Sequence, residues 1–294
     1  MPTTIFIRSS FVVLLPFVAA MADEPTIDVD QSEEIEQLIA KFDDDQFRVR
    51  EAASRRLLEI GPPSLPALLR RREGASYEVR LRVARIAERI SQELLSVDFA
   101  RLAAQPADAK IDLDKGMWLI ARIGNPLVRR EDLSAQLDGL AAAVQRQLGD
   151  VTPANADPKQ VVEALRLALF AEDGFKGVMP GESPDNSSLE MVLRNKRGLP
   201  ILLSHVVVAV AERLRVPVVG LAMPYRYMVK YDGSRAPAGF PGDDIILDPY
   251  NGCKVVPRGE LAQAIGLPND RLDLEAHLVP SPKRHTLWRM LQNL

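Results

Sequence analysis

The sequence is poor in the residue types that build disulfide frameworks and metal centres. It has one cysteine, Cys253, and three histidines among its 294 residues. A lone cysteine excludes an internal disulfide framework and a cysteine-rich zinc site. Three histidines likewise disfavour a histidine-rich metal site. The sequence therefore predicts neither a metal site nor a cofactor.

The sequence also lacks an excess of basic charge. Its 37 Lys and Arg residues face 40 Asp and Glu residues, for a formal net charge of -3. Nucleic-acid binders usually carry a basic excess, so nucleic acid is not an expected partner. A hydrophobic fraction of 47% and a charged fraction of 26% are typical of a soluble globular protein. The length allows two domains.

Long apolar runs are missing except near the N-terminus, where residues 1–22 show the pattern of a signal peptide. A charge at Arg8 precedes the apolar run 11–20, and Ala20 and Ala22 supply the small residues that a signal peptidase reads. The run is about half the ~20 residues needed to span a bilayer. We therefore expect cleavage after Ala22, no stable membrane anchor afterwards, and a periplasmic or extracellular location. An N-terminal helix or an uncleaved anchor is the alternative.

Residues 28–97 contain a helical pattern that repeats after 30 residues. The matching pairs are Phe47 and Tyr77, Val49 and Val79, Arg50 and Arg80, Ala53 and Val83, Leu57 and Ala87, and Ile60 and Ile90. This pattern resembles HEAT-like repeats of the PBS-lyase type, each made of two antiparallel helices. A solenoid usually needs three or more repeats. We therefore expect these hairpins to dock on the rest of the chain or on a partner.

The arginines of this region are open to two interpretations. They are Arg70, Arg71, Arg72, Arg80, Arg82, Arg85 and Arg89. Either they form a basic contact surface for a partner, or they lie on solvated helix faces beside counter-charges such as Glu73 and Glu88.

Residues 108–294 are predicted to form one domain of the α+β class. Helical patterns fill 108–195, a mixed core spans 196–266, and a last helix covers 282–294. The helix predicted at 199–214 is apolar nearly all round, which indicates a central, buried helix. Strand candidates rich in Val, Ile and Tyr follow it at 216–223, 225–231 and 244–248.

The order and spacing of several motifs across 112–294 resemble the SirB-type branch of the transglutaminase-like superfamily. The motifs are Asn186-Ser187, Arg197-Gly198-Leu199-Pro200-Ile201, Pro224, Asp248-Pro249-Tyr250-Asn251-Gly252 and the closing Arg289-Met290-Leu291-Gln292-Asn293-Leu294. The resemblance implies a papain-like fold in which a central helix packs on a small antiparallel sheet. It also implies acyl transfer or peptide hydrolysis by a Cys, a His and an Asp, in that chain order.

Transferred position by position, the resemblance leaves one of these three residues in place. Pro200 stands where the cysteine would begin the central helix, and proline has no nucleophile. Arg226 stands in place of the histidine, and a guanidinium with a pKa above ~12 cannot act as a general base at neutral pH. Asp248 alone matches. We therefore predict a non-catalytic domain that binds a protein or peptide through its HEAT-like face or its degenerate cleft.

The candidate binding residues are Arg197, Arg226, Asp248 and Tyr250. Arg226 either pairs with Asp248 or stays free to bind a carboxylate or phosphate. The alternative function is an atypical peptidase or acyltransferase with Cys253 or Ser204 as its nucleophile.

Structural roles are predicted for several polar residues near the site. We expect the Ser204 hydroxyl to bond a carbonyl of its own helix, and His205 to be a hydrogen-bonded core histidine. Nothing local in the sequence lowers the pKa of Cys253. Asn186 is expected to cap a helix at 187–193 with help from Glu190.

Overall fold

The computed structural model describes residues 29–179, 183–240, 242–265 and 274–294. The predicted signal peptide lies outside these residues. Within them, no helix combines the length and the apolar character needed to cross a membrane. The α-helices are α1 (Val29–Ala40), α2 (Phe47–Ile60), α3 (Leu65–Arg72), α4 (Tyr77–Ala103), α5 (Leu113–Gly124), α6 (Arg130–Leu148), α7 (Pro158–Leu165), α8 (Leu189–Asn195), α9 (Pro200–Arg213), α10 (Leu261–Ala264), α11 (Leu274–His277) and α12 (Lys283–Leu291).

The strands are fewer and shorter than the helices. They are β1 (Lys176–Gly177), β2 (Arg197–Gly198), β3 (Val218–Met223), β4 (Arg226–Tyr231), β5 (Ile245–Asp248) and β6 (Lys254–Val255). Strands β3 to β6 form an antiparallel sheet in chain order, and β1 pairs with β2 in parallel.

Helices α1 to α4 share an apolar core of their own. Phe42, Leu57 and Leu68 are among its buried residues. Helix α2 ends because Gly61 takes a positive φ of 71°, which favours glycine, and its N–H bonds the Leu57 carbonyl. The HEAT-like assignment of these helices stays a prediction.

Arg122 joins this N-terminal region to the helices that follow. Its guanidinium is buried between α4 and α5 and donates to Asp98 and to the Ser91 carbonyl, both at 3.2 Å. The guanidinium also lies 4.8 Å from the centre of the Trp118 ring. Helix α4 is 27 residues long. Its second half packs against α5 and so connects the N-terminal helices to the helices that follow.

The second core surrounds α9, whose residues 201–211 are all buried. Helix α6 and strands β3 and β4 pack around it. Leu199 is the N-cap residue and Pro200 the first residue of this helix, where a missing N–H costs little. The apolar pattern that predicts a central helix therefore corresponds to this element.

The sheet differs from the sequence expectation at its ends. Strand β4 begins at Arg226 rather than at Tyr225, because Tyr225 has a left-handed φ of 56° in the hairpin turn. Strand β6 was not predicted, since two residues after a turn carry no periodic pattern. Strand β1 (Lys176–Gly177) lies within 108–195, the part of the domain for which helical patterns alone were predicted.

The predicted cap at Asn186 is wrong. Helix α8 begins at Leu189 with Ser188 as its N-cap residue, and no side chain caps it. Asn186 is buried in the preceding 3-10 turn, where its carbonyl accepts the N–H of Leu199. Glu190 instead accepts hydrogen bonds from Asn125 and from Arg194. Asn186 thus anchors the start of the central helix rather than that of α8.

Candidate functional site

Arg226 and Asp248 meet at one end of the sheet. Arg226 is the first residue of β4 and Asp248 the last of the adjacent strand β5. Arg226 Nη1 donates to Asp248 Oδ2 at 2.8 Å. The Asp248 side chain is 2% exposed and that of Arg226 22%. The structure therefore holds a largely buried ion pair at these two positions.

The Asp248 carboxylate has two further donors from the 3-10 turn Pro249–Asn251. Asn251 Nδ2 donates to Oδ2 at 2.7 Å, and the Tyr250 N–H donates to Oδ1 at 3.1 Å. The guanidinium of Arg226 also lies 4.9 Å from the centre of the Tyr250 ring. Asn251 belongs to the motif after β5, but its spacing alone did not mark it as a partner of Asp248. Both carboxylate oxygens are therefore engaged.

The start of α9 packs close to this turn but supplies no nucleophile. Pro200 has neither a thiol nor a hydroxyl. One helical turn later, the Ser204 hydroxyl is fully buried and donates to the Tyr227 carbonyl of β4 at 3.1 Å. This corrects the expectation of a bond within its own helix, because β4 passes alongside α9 and offers the acceptor. Among the described residues, no imidazole hydrogen-bonds to Ser204.

Cys253 is a core residue in the turn after β5. It is fully buried, and its N–H donates to the Asp248 carbonyl at 2.9 Å. Burial raises the pKa of its thiol to about 12; the Asp248 carboxylate contributes to the rise, and Arg166 opposes it. A reactive cysteine needs the opposite environment, exposed and electropositive. The Cys253 thiol is therefore poorly suited to act as a nucleophile.

Tyr250 packs against the two-stranded sheet. A Cβ added at Gly177 would lie 2.5 Å from both the ring and the carbonyl oxygen of Tyr250, so the two backbones touch only because position 177 is glycine. Tyr250 Oη donates to Met179 Sδ at 3.4 Å. Arg197 lies in the same sheet, opposite Lys176 of β1.

The rim of the site is apolar. Tyr225, next to Arg226, is 86% exposed, and Met179 is 63% exposed. Met179 contacts the partly buried Tyr250, whose ring lies 4.9 Å from the Arg226 guanidinium. This arrangement can bind an anionic or carboxylate-bearing group beside apolar side chains.

A second polar cluster lies on the other part of α9 and was missed by sequence reasoning. His205 Nε2 is 3.4 Å from Asp114 Oδ1, without the alignment of a hydrogen bond. Both ring nitrogens of His205 are buried without a hydrogen-bond partner among the described residues, which corrects the expectation of a hydrogen-bonded core histidine. Arg213 donates to Asp114 at 3.1 Å and to Asp138 at 2.6 Å.

The electrostatics of this cluster favour the ionised carboxylate. Burial by itself raises the pKa of Asp114, but the neighbouring His205 and Arg213 outweigh it and lower that pKa to about 2. His205 and Arg213 lie 91 and 99 positions after Asp114 in the sequence, so no local pattern connects them to it. Across the described ranges, no group of three or more His, Cys, Asp or Glu side chains is arranged to hold a metal ion.

Comparison with known proteins identifies the family. The family model described as the transglutaminase-like superfamily matches residues 131–292, more than half of the chain. The chain belongs to this superfamily. The match runs from α6 to the end of α12 and so includes α9, the sheet and the Arg226–Asp248 pair.

Curated relatives carry the name UPF0162 protein. One from Xylella fastidiosa (strain 9a5c) is 33% identical over 140 residues, which is 45% of this chain and 46% of the relative. Another, from Pseudomonas aeruginosa, is 24% identical over 160 residues, 54% of each chain. The chain thus spans about half the length of the curated relatives it matches. No solved structure matches this chain.

Proposed function

We propose that this transglutaminase-like protein is non-catalytic and that its domain acts by binding a protein or peptide. The Arg226–Asp248 ion pair is the observation that carries this proposal. In a catalytic member the aspartate would orient an imidazole, whereas here a permanent cation fills that place. Pro200 at the start of α9 and the buried, unreactive Cys253 support the same conclusion.

The chemistry of the degenerate site favours a peptide with a carboxylate. Arg226 uses Nη1 for Asp248 and is 22% exposed, and a guanidinium has five N–H donors in a planar fork that matches a carboxylate. The Tyr250 ring provides aromatic surface 4.9 Å from the guanidinium, and aromatic residues and arginine are enriched at protein interfaces. An acidic side chain next to an apolar one fits this surface.

The absence of catalysis is tested with a thiol-reactive acyl probe at pH 8. Because the thiol pKa is about 12, we expect Cys253 to react roughly 10³-fold more slowly than a free thiol of pKa near 8.5. The urea-unfolded protein is the control and should react at the rate of the free thiol. Faster, saturable labelling of the folded protein, or amide or ester hydrolysis lost in Ser204→Ala or Cys253→Ser, would overturn the proposal.

Binding is tested by selecting peptides from a phage-displayed library on the folded protein. We expect the selected peptides to be enriched in acidic residues, and a share of them to lose affinity at least tenfold on Arg226→Gln. Arg85→Gln, at an exposed arginine on α4, is the matched control and should keep them. Peptides that bind the two variants equally well would remove the argument for the degenerate site.

Export of the protein is part of the same proposal and is supported by the sequence of residues 1–22. Expression of the full chain in a bacterial host should give a periplasmic protein whose mass corresponds to an N-terminus at Asp23. Ala22→Arg places a long, charged side chain at the cleavage position and should block processing. A cytoplasmic product that keeps residues 1–22 would show the expectation to be wrong.

A further inference from the structure

A cleft of about 1000 Å³ lies between the N-terminal helices and the helices that precede and begin the family match. Helices α3 and α4 form one wall, and α5 and the start of α6 form the other. Apolar side chains lie along it, among them Leu69, Leu94 and Leu127. This cleft is separate from the degenerate site, whose residues do not line it.

The dimensions of the cleft suit an extended chain. Arg80 and Asp98 both line it, and they are about 27 Å apart along α4 at roughly 1.5 Å per residue. A peptide in an extended conformation covers that distance with about eight residues at roughly 3.3 Å each. A single small molecule would fill only part of such a surface.

The cleft is electropositive in a protein whose net charge is -3. Its cationic lining residues are Arg70, Arg72, Arg80, Lys115, Arg122, Arg129 and Arg130. Its acidic ones are Glu73, Asp98, Glu131 and Asp132. Within the described part of the chain, three of the cations have no carboxylate partner: Arg72, Arg80 and Lys115. Arg80 Nη1 donates to the Ala75 carbonyl at 2.6 Å, so Arg72 and Lys115 are the side chains most available to an incoming anion.

We propose that this cleft docks a linear, acidic segment of a partner protein, in which apolar side chains alternate with carboxylates. The proposal rests on the proposed binding function and assigns it a second surface. Charge complementarity selects an acidic segment, because the lining carries more cations than anions. The leucine side chains along the cleft favour a peptide over a nucleic acid, because a phosphate backbone makes no favourable apolar contact with them. Arg122 lies over one face of the Trp118 ring and so occupies a face on which a base could stack.

The test uses a fluorescein-labelled peptide of alternating Glu and Leu, about eight residues long, with binding followed by fluorescence anisotropy on the full chain. We expect Arg72→Glu combined with Lys115→Glu to weaken binding at least tenfold. The matched control is Arg85→Glu combined with Arg89→Glu, which makes the same charge change on α4 at exposed residues outside the cleft. This control should bind within about twofold of wild type. Equal weakening by the two double variants would overturn the assignment to the cleft.

Three further probes distinguish an acidic, partly apolar peptide from other possible ligands of the cleft. Replacing Leu by Ser in the peptide should weaken binding severalfold, and replacing Glu by Lys should abolish it. A single-stranded thymidine oligonucleotide of equal length should compete poorly. An oligonucleotide that competes fully, or a Glu-Ser peptide that binds as tightly as the Glu-Leu peptide, would refute the proposal in favour of a nonspecific polyanion site. Sedimentation at the same concentrations should show a monomer, and a dimer that the double cleft variant dissociates would instead assign the cleft to a second copy.

The experiments distinguish failure of the cleft proposal from failure of the proposed binding function. If the cleft variants bind the Glu-Leu peptide normally while Arg226→Gln still reduces binding of selected peptides, the second surface is wrong and the binding function stands. If the protein proves to be an enzyme, hydrolysis reveals it regardless of the cleft variants.

Discussion

Replacing Arg226 by alanine tests whether the degenerate site is held together by its ion pair. The substitution removes the guanidinium that donates to Asp248 at 2.8 Å and lies over the Tyr250 ring. It leaves the Asp248 carboxylate, which is 2% exposed, with hydrogen bonds from Asn251 and the Tyr250 N–H as the remaining ones among the described residues. The folded state therefore loses an ionic partner at a position that water reaches poorly.

The magnitude follows from the contacts that are lost. A hydrogen bond to a charged group contributes about 1.5–3 kcal/mol, and the cation–π contact adds about 0.5–1 kcal/mol. Breaking a fully buried pair from one side costs about 3–5 kcal/mol. Arg226 is 22% exposed and Asp248 keeps two donors, so we expect a loss of about 2–3 kcal/mol in the free energy of unfolding.

Urea unfolding followed by far-ultraviolet circular dichroism measures this loss. Arg85→Ala, at an exposed residue that forms no ion pair within the described ranges, is the control and should change stability by less than about 0.5 kcal/mol. A double-mutant cycle with Asp248→Asn should give a coupling energy of at least about 1 kcal/mol. The reasoning is refuted if Arg226→Ala costs no more than Arg85→Ala, or if the coupling energy is close to zero.

Other predictions follow from packing and from titration. Arg122→Ala leaves Asp98 unpaired between α4 and α5 and should lower the free energy of unfolding by about 3 kcal/mol; thermal denaturation would show it, and an unchanged melting temperature would contradict it. Because the folded-state pKa of Asp114 lies at about 2, below its ordinary 3.8, its contribution of about 2 kcal/mol should be complete above pH 4 and vanish as pH falls through 2. Asp114→Asn should flatten that part of the pH–stability curve, and an unaltered curve would show that Asp114 does not cause the pH dependence. Gly177→Ala should destabilise the fold and displace Tyr250, visible as changed tyrosine signals in NMR spectra, whereas native-like spectra would mean that the backbones are not in contact.

Local patterns predicted those parts of the fold whose burial is regular along the chain. The apolar run of α9 indicates a central helix because a helix without a polar face has to be buried on all sides. The residues at the degenerate site were also predictable from the sequence, since Pro200 and Arg226 exclude a thiol nucleophile and an imidazole by their chemistry alone. Strand ends were harder to predict from the sequence. Strand β4 starts after Tyr225 because Tyr225 has a left-handed φ, which its residue type does not favour.

Contacts between distant segments were decided only by the tertiary structure. The Ser204 hydroxyl bonds Tyr227 rather than its own helix because β4 lies against α9. Asp114 and His205 are brought within 3.4 Å by the packing of α5 on the core, although nothing near either residue indicates the other. The sequence by itself thus determined that a buried central helix forms and that Pro200 and Arg226 supply neither a thiol nor an imidazole, because these depend on periodicity and residue type. The tertiary structure decided the pairing of Arg226 with Asp248 and the electropositive cleft beside α4, because both depend on how whole elements pack against one another.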